Sequence, residues 1–196
     1  MTPSSKRGAY KKIDNLVVNL VYPDWIMDND LLTDYHRRLT INASDKYLDI
    51  LDKVDSFMIY HNVYEYTLHQ PVNRRNWPME SVSEVNADYV PTTNSFSIFG
   101  GFIQPPYYES FYPESVIFGN LGVVFGHELT HGFDDEGIQW DEKGALKGWM
   151  DSSTSSHFQN MTQCIADQYS TFCPLGSNAP CVDGAFGVAE EIADNG

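Results

Sequence analysis

Two histidines separated by one helical turn are the strongest constraint on how this chain folds. His127 is the first and His131 the last residue of the segment HELTH. This segment lies inside an apolar stretch, Val116 to Phe133, that predicts a helix. Residues i and i+4 of a helix share one face, so both imidazoles can reach a single metal ion. Glu128 is rotated by about 100° from His127 and would lie beside such an ion without binding it. From spacing alone, two surface histidines beside a solvated glutamate are the alternative.

A catalytic zinc ion needs a third protein ligand, and the carboxylates downstream supply the candidates. Glu190 is followed one helical turn later by Asp194. Glu190 would bind the ion while Asp194 accepts the second N–H of a ligand histidine. Spacing does not select Glu190 over Asp135 or Glu136. The acidic cluster 134–136 is equally typical of a solvated turn after the helix.

The remaining pattern predicts an α+β fold that is mainly helical. Two short extended segments, Val85–Tyr89 and Phe96–Phe99, are separated by turn residues. A polar break with two prolines divides the chain into a mostly helical segment, residues 1–76, and a second part, residues 77–196. The spacing of apolar residues predicts further helices at Asp28–Leu39, from Ser44 or Asp45 onward, at Ser153–Tyr169 and at Phe186–Asp194.

The negative charge is concentrated in the second part. The chain has 27 acidic and 12 basic side chains, which gives a net charge of −15. Residues 1–76 hold ten of each sign, whereas residues 77–196 hold seventeen acidic residues and two lysines. This balance disfavours nucleic acid and anionic membrane surfaces as partners.

Several features bear on the cellular compartment. No apolar stretch reaches the roughly 20 residues of a spanning helix, and the N-terminus lacks the apolar region of a signal peptide. Asn42 and Asn160 begin N-x-[ST] sequons, which are glycosylation acceptors in secreted proteins and also arise by chance. Cys173 and Cys181 are near enough in sequence to close a local disulfide loop, which leaves Cys164 free or paired outside this chain. The sequons and cysteines argue against a cytosolic location.

Three longer segments carry a resemblance to a known family. They are VNADYVPTTNSFSIFGGFIQPPYY, FGNLGVVFGHELTHGFDDEGIQWDEKGAL and EEIADNG, preceded by VYPDWI. In order and spacing, with 58 residues between His131 and Glu190, they resemble the neprilysin and endothelin-converting-enzyme family of zinc metallopeptidases. The resemblance covers most of the chain. It implies an incomplete thermolysin-like zincin (gluzincin) catalytic lobe whose core lies in residues 77–196.

The resemblance also implies roles for the matching residues around the metal. His127, His131 and Glu190 match the ligands of one zinc ion. Glu128 matches the general base that takes a proton from the attacking water. These four residues would form the catalytic centre.

Further positions match residues that support catalysis. Asp194 matches the aspartate that orients a ligand histidine. Asn86 and Ala87 match a pair on an edge strand that binds the backbone of a peptide substrate by β-augmentation. Cys164 matches a family cysteine that pairs with a distant one.

The sequence departs from the family pattern at three positions. Asp88 stands where the family has an aromatic residue, which changes the rim of the substrate strand. Ala189 and Glu191 replace the glycine and asparagine that flank the ligand glutamate. We expect Glu191 to face solvent.

The function implied is a zinc-dependent metalloendopeptidase that hydrolyses short peptides, either secreted or on the extracellular face of the plasma membrane. Family chains are several times longer, so we expect the membrane anchor, a transition-state histidine and a substrate-binding arginine to lie outside this sequence. The alternative is a zinc-binding fragment, weakly active or inactive, that acts if at all by associating with a related chain. A plain helical structural domain would leave the ligand spacing unexplained.

Overall fold

The computed structural model describes residues 1–64, 67, 72–77, 81–176 and 179–196. None of the helices within these ranges is both long and apolar enough to cross a membrane. The α+β, mainly helical fold predicted from the sequence is confirmed. In chain order the elements are α1 (Pro3–Asp14), β1 (Val17–Val21), α2 (Asn29–Tyr35), α3 (Tyr47–Ile59), β2 (Ala87–Val90), β3 (Ser95–Phe99), α4 (Glu114–Ile117), α5 (Val123–His131), α6 (Ser152–Tyr169) and α7 (Val188–Asp194).

The three strands form a small sheet in the order β1-β3-β2. The central strand, β3, is parallel to β1 and antiparallel to β2. All residues of β3 are buried, as expected for a strand with neighbours on both sides. Among the described strands, β2 pairs with β3 alone, so the outer edge of β2 has no strand partner there.

One face of the sheet packs against the helical run that carries the HELTH segment. Phe96 of β3 meets Phe125 of α5 edge to face, with ring centroids 4.4 Å apart. This packing places α5 along β2 and so brings the free strand edge next to the histidines. The buried core residues are Ala87, Phe96, Ile98 and Phe102, with Leu121 and Val124 partly buried against them.

The helix predicted at Val116–Phe133 is a continuous helical run with one irregular turn. A π-helical turn, Phe118–Gly122, lies between α4 and α5. The run ends at His131, after which Gly132 begins a tight loop. The second histidine therefore lies at the C-terminal end of the helix.

The chain divides into two compact units. One consists of Met1–Val21 together with Val82–Gly196, and the other is Tyr22–Ser81. This differs from the division at residue 76, because β1 pairs with β3 and draws the N-terminal residues into the larger unit. The polar break that motivated that division lies partly outside the described residues.

The unit Tyr22–Ser81 is organised around packed aromatic rings. Trp25 stacks on Tyr35 with centroids 4.5 Å apart, and Phe57 of α3 meets Tyr35 edge to face at 5.5 Å. Asn42, the first sequon asparagine, is exposed in the connection between α2 and α3. The predicted helices of this segment are confirmed, with α2 ending earlier than the pattern indicates.

Candidate metal centre

Helices α5 and α7 bring three metal-binding side chains to one point. The Nε2 atoms of His127 and His131 lie 3.0 Å apart. Oε2 of Glu190 lies 3.3 Å from Nε2 of His127 and 3.7 Å from Nε2 of His131. Two ligand atoms about 2.1 Å from a tetrahedral zinc ion are themselves about 3.4 Å apart. The three side chains are therefore spaced as a single zinc ion requires.

Each histidine has a carboxylate on its other ring nitrogen. Nδ1 of His127 lies 2.9 Å from Oδ1 of Asp194, and Nδ1 of His131 lies 2.7 Å from Oδ2 of Asp134. An ionised carboxylate only accepts hydrogen bonds, so each Nδ1 carries a proton and each Nε2 presents its lone pair. Two such lone pairs beside the carboxylate of Glu190 form a donor set typical of zinc.

Asp134 has a role that the sequence spacing left unassigned. It is 3% exposed, so the interpretation of this position as part of a solvated turn is wrong. Its Oδ1 also accepts the backbone N–H groups of Glu136 and Gly137, at 2.9 and 2.6 Å. The hydrogen bond to Asp134 raises the pKa of His131. The signal available in the sequence was the i, i+3 spacing from His131.

The two other candidates for the third ligand line the same cleft but do not belong to the group of converging ligand atoms. Among the described residues, the group that could hold a metal ion consists of His127, His131 and Glu190, without Asp135 or Glu136. Spacing could not make that choice, since Glu190 reaches the histidines only through the packing of α7 on α5.

Glu128 lies beside the ligand group, buried at 6% exposure. Burial raises its pKa to about 7, while His131 and His127 act in the opposite direction. A carboxylate in this setting can both accept and release a proton near neutral pH. It lies on α5 directly after His127 and is not one of the three side chains grouped as possible metal ligands.

A cleft of about 680 Å³ opens over the ligand group. Its walls come from the start of β2, from α5, from the loop that follows α5 and from the segment that leads into α7. Acidic side chains dominate it. The lining includes Asp88, Glu128, Asp134, Asp135, Glu136 and Glu190.

The free edge of β2 forms one wall of this cleft. The carbonyl of Asn86 accepts the N–H of Phe99 at 3.2 Å, so Asn86 pairs with β3. Pairing alternates along an antiparallel strand, and the N–H and C=O of Ala87 therefore point away from β3 toward the cleft. The side chain of Asn86 is exposed beside them.

Two of the departures from the family pattern involve acids with a buried carboxylate oxygen. Oδ1 of Asp88 is buried with no hydrogen-bond partner among the described residues, and burial raises the pKa of this carboxyl. Glu191 was expected to face solvent, and this was wrong, because it is 7% exposed. Since α7 turns Glu190 and Asp194 toward the histidines, Glu191 lies on the side that packs into the protein. Burial raises the pKa of Glu191 as well.

Two of the three cysteines form a disulfide and the third is free, as the sequence predicted. Cys173 and Cys181 form a disulfide, whereas Cys164 is free and exposed on α6. Asn160, the second sequon asparagine, is also exposed on α6.

Comparisons with known proteins agree with this geometry. Residues 86–196 match the family model described as peptidase family M13. Neprilysin-1 of Caenorhabditis elegans is 36% identical over 196 residues, which are 100% of this chain and 26% of that protein. The crystal structure of PEPO from Lactobacillus rhamnosis HN001 has a TM-score of 0.82 at 28% identity, covering 100% of this chain and 29% of its own. Mycobacterium tuberculosis zinc metalloprotease Zmp1, in complex with an inhibitor, has a TM-score of 0.78 at 28% identity, covering 99% of this chain and 28% of its own.

A HExxH helix and a second helix that brings a carboxylate to its two histidines, packed beside a small sheet, define part of the catalytic lobe of a zincin. The chain belongs to peptidase family M13. The resemblance to neprilysin and endothelin-converting enzymes that the motifs carry is thereby confirmed. The chain spans about a quarter of the length of these relatives, 26% in each case.

Proposed function

We propose that this chain is the zinc-binding part of a metalloendopeptidase that hydrolyses peptide bonds in short peptides. The observation that carries this proposal is the convergence of His127, His131 and Glu190 beside the buried Glu128. When bound, one zinc ion supplies Lewis acidity, which polarises the scissile carbonyl and makes the attacking water more acidic. Side chains and backbone groups of this cleft supply the proton transfer, the orientation of the ligands and part of the substrate binding.

Glu128 is the general base and then the general acid. Its carboxylate accepts a proton from water as the water oxygen bonds to the carbonyl carbon. The same proton passes to the amide nitrogen as the C–N bond breaks, so Glu128 ends in its initial state. Asp194 and Asp134 hold the two imidazoles so that each Nε2 faces the metal position.

The peptide substrate binds along the outer edge of β2. The outward N–H and C=O of Ala87 extend the sheet by pairing with an extended backbone, and the amide of Asn86 adds hydrogen bonds beside them. Backbone pairing of this kind recognises an extended peptide with little dependence on its side chains. It also aligns the scissile bond along the cleft that holds Glu128.

The compartment we propose is extracellular, either as a secreted protein or as part of a membrane-anchored one, with Asn42 and Asn160 as glycosylation acceptors. Both asparagines are exposed, as glycosylation requires. The Cys173–Cys181 disulfide favours an oxidising compartment.

The second candidate is a zinc-binding chain with little or no activity of its own. It applies if these residues act without the remaining length of relatives such as Neprilysin-1, of which the chain covers 26%. If the transition-state donor lies in the remaining length, its loss alone would lower turnover by about 10²–10³-fold. Association with a related chain would then be needed for efficient cleavage.

Zinc analysis combined with a cleavage assay separates these functions. The wild-type chain and Glu128→Gln are dialysed against zinc, analysed for bound metal and incubated with a quenched fluorescent peptide. We expect both proteins to retain zinc and Glu128→Gln to cleave at least about 10²-fold more slowly. Equal rates would refute the role of Glu128. Zinc retention without cleavage by the wild type would favour the second candidate.

A further inference from the structure

Lys12 is a buried cation that no step of the proposed reaction uses. It lies in the last turn of α1 and is 2% exposed, although lysine is almost never fully buried without partners. Its Nζ donates to the backbone carbonyls of Gly132 and Gly137, each at 2.5 Å. The aromatic rings of Tyr89 and Phe133 lie 5.7 and 5.6 Å from Nζ. The ammonium is therefore enclosed by carbonyl oxygens and ring faces.

The two carbonyls belong to the ends of the loop that holds Asp134. Gly132 directly follows His131 at the end of α5, and Gly137 closes the loop. The N–H of Gly137 donates to Asp134, which in turn accepts the Nδ1 proton of His131. A short series of hydrogen bonds thus leads from Lys12 through Gly137 and Asp134 to a residue of the metal centre.

We propose that Lys12 is a positioning residue for His131. Its ammonium holds both ends of the loop 132–137 together, so that the carboxylate of Asp134 stays against Nδ1 and Nε2 faces the metal. A cation is favourable at the C-terminal end of a helix, where carbonyl groups are unpaired. Without it, the carbonyls of Gly132 and Gly137 would both point at one position and repel each other. The inference rests on the proposed function only in that His131 is taken to be a zinc ligand.

A plain anchoring role for Lys12 is the competing explanation, and the other end of α1 provides the control. There, Ser5 and Thr2 form hydrogen bonds with Asp151, and none of these bonds involves a residue of the loop 132–137. Ser5→Ala weakens the attachment of α1 without touching Gly132 or Gly137. Suppose that Lys12 only anchors α1. Then Ser5→Ala and Lys12→Met, compared at the same loss in the free energy of unfolding, will change the hydrogen bond at Nδ1 of His131 to the same extent.

The first readout is the Nδ1 proton of His131, observed by ¹⁵N-edited NMR in the metal-free 196-residue chain. We expect a slowly exchanging signal in the wild type and in Ser5→Ala. In Lys12→Met and Asp134→Asn, we expect this signal to disappear or the Nδ1 proton to exchange with water much faster. Should Lys12→Met not fold, Lys12→Arg replaces it, since a guanidinium cannot reproduce the geometry of the ammonium with both carbonyls. A wild-type signal in the folded lysine variant would overturn the proposal.

The second readout is the affinity for cobalt(II) or zinc(II), measured by competition with a chelator. We expect Lys12→Met and Asp134→Asn each to lower the affinity about 10–100-fold, and the double variant to lose little more than either. Losses that add in full would show that Lys12 acts independently of Asp134 and would overturn the proposal. A wild-type chain that binds no metal would refute the metal centre, while the proton signal would still decide whether Lys12 positions His131.

Discussion

His127 and Asp194 are 67 residues apart in the sequence, yet Nδ1 of His127 lies 2.9 Å from Oδ1 of Asp194. The same short helix, α7, also carries Glu190, whose carboxylate lies 3.3 Å from the other nitrogen of that ring. In the proposed zinc centre, one helix would therefore supply both a ligand and the group that orients a second ligand. His131 obtains the equivalent support from Asp134, three residues along its own chain.

Removal of either supporting carboxylate is expected to weaken zinc binding. Asp194→Asn and Asp134→Asn leave the three ligands in place but remove the anionic acceptor behind one imidazole. We expect about a 10–100-fold loss of zinc affinity in each case, measured by competition with a fluorescent chelator. The control is Asp167→Asn on α6, which removes the same charge away from the centre. A similar loss in all three variants would indicate a general electrostatic effect instead.

Asp88 is expected to destabilise the folded chain at neutral pH. Burial raises the pKa of Asp88, so the folded state disfavours its charged form. That cost is present above the raised pKa and disappears as the pH falls below the ordinary value of about 3.9. Asp88→Asn should therefore raise the free energy of unfolding at pH 7, and the gain should vanish in acid. Urea unfolding of both proteins at pH 7 and pH 3.5 tests this, and a constant difference would contradict it.

Asp151, unlike Asp88, is expected to stabilise the folded chain at neutral pH. Hydrogen bonds from Ser5 and Thr2, and from the backbone of Thr154, hold the pKa of Asp151 well below its ordinary range. A lowered pKa contributes stability above about pH 4, and this stability is lost as the pH falls toward the folded-state value. Asp151→Asn should lower the urea midpoint at pH 7 and approach the wild type in strong acid. Asp167→Asn, on the same helix, should leave the midpoint nearly unchanged at both pH values.

The disulfide is expected to stabilise the segment between α6 and α7. The bond joins Cys173 and Cys181, eight residues apart, and closing a loop of this size contributes about 2–3 kcal/mol through the unfolded state. Cys173→Ser should lose that amount in urea unfolding, and addition of a reducing agent should have no further effect on it. Cys164→Ser is the matched control, because Cys164 is free and exposed. An equal loss in both variants would argue against a specific role for the disulfide.

Local spacing predicted the parts of the centre that lie within single helices. The i, i+4 rule placed His127 and His131 together, and the same rule linked Glu190 to Asp194. The choice of Glu190 over nearer acids needed the family resemblance, since it depends on how two distant helices pack. The sheet also escaped local reasoning in part, because the pairing of β1 with β3 joins residues far apart in sequence.

Buried charge was the feature that sequence patterns described least well. Asp134 and Glu191 look like solvated acids in the sequence, and Lys12 looks like one of several surface lysines. All three are buried: Lys12 in the last turn of α1, Asp134 in the loop after α5, and Glu191 on the side of α7 turned away from the histidines. Such positions follow from tertiary packing, which the spacing of apolar residues does not specify.

The central claim is that His127, His131 and Glu190 hold one zinc ion, and metal analysis after extensive dialysis tests it most directly. The wild-type chain and three variants, His127→Ala, His131→Ala and Glu190→Ala, are loaded with zinc, dialysed and analysed by mass spectrometry of the metal. The account predicts one zinc ion per wild-type chain and its loss from each variant that remains folded. A wild-type chain without zinc, or folded variants that retain it fully, would contradict the account.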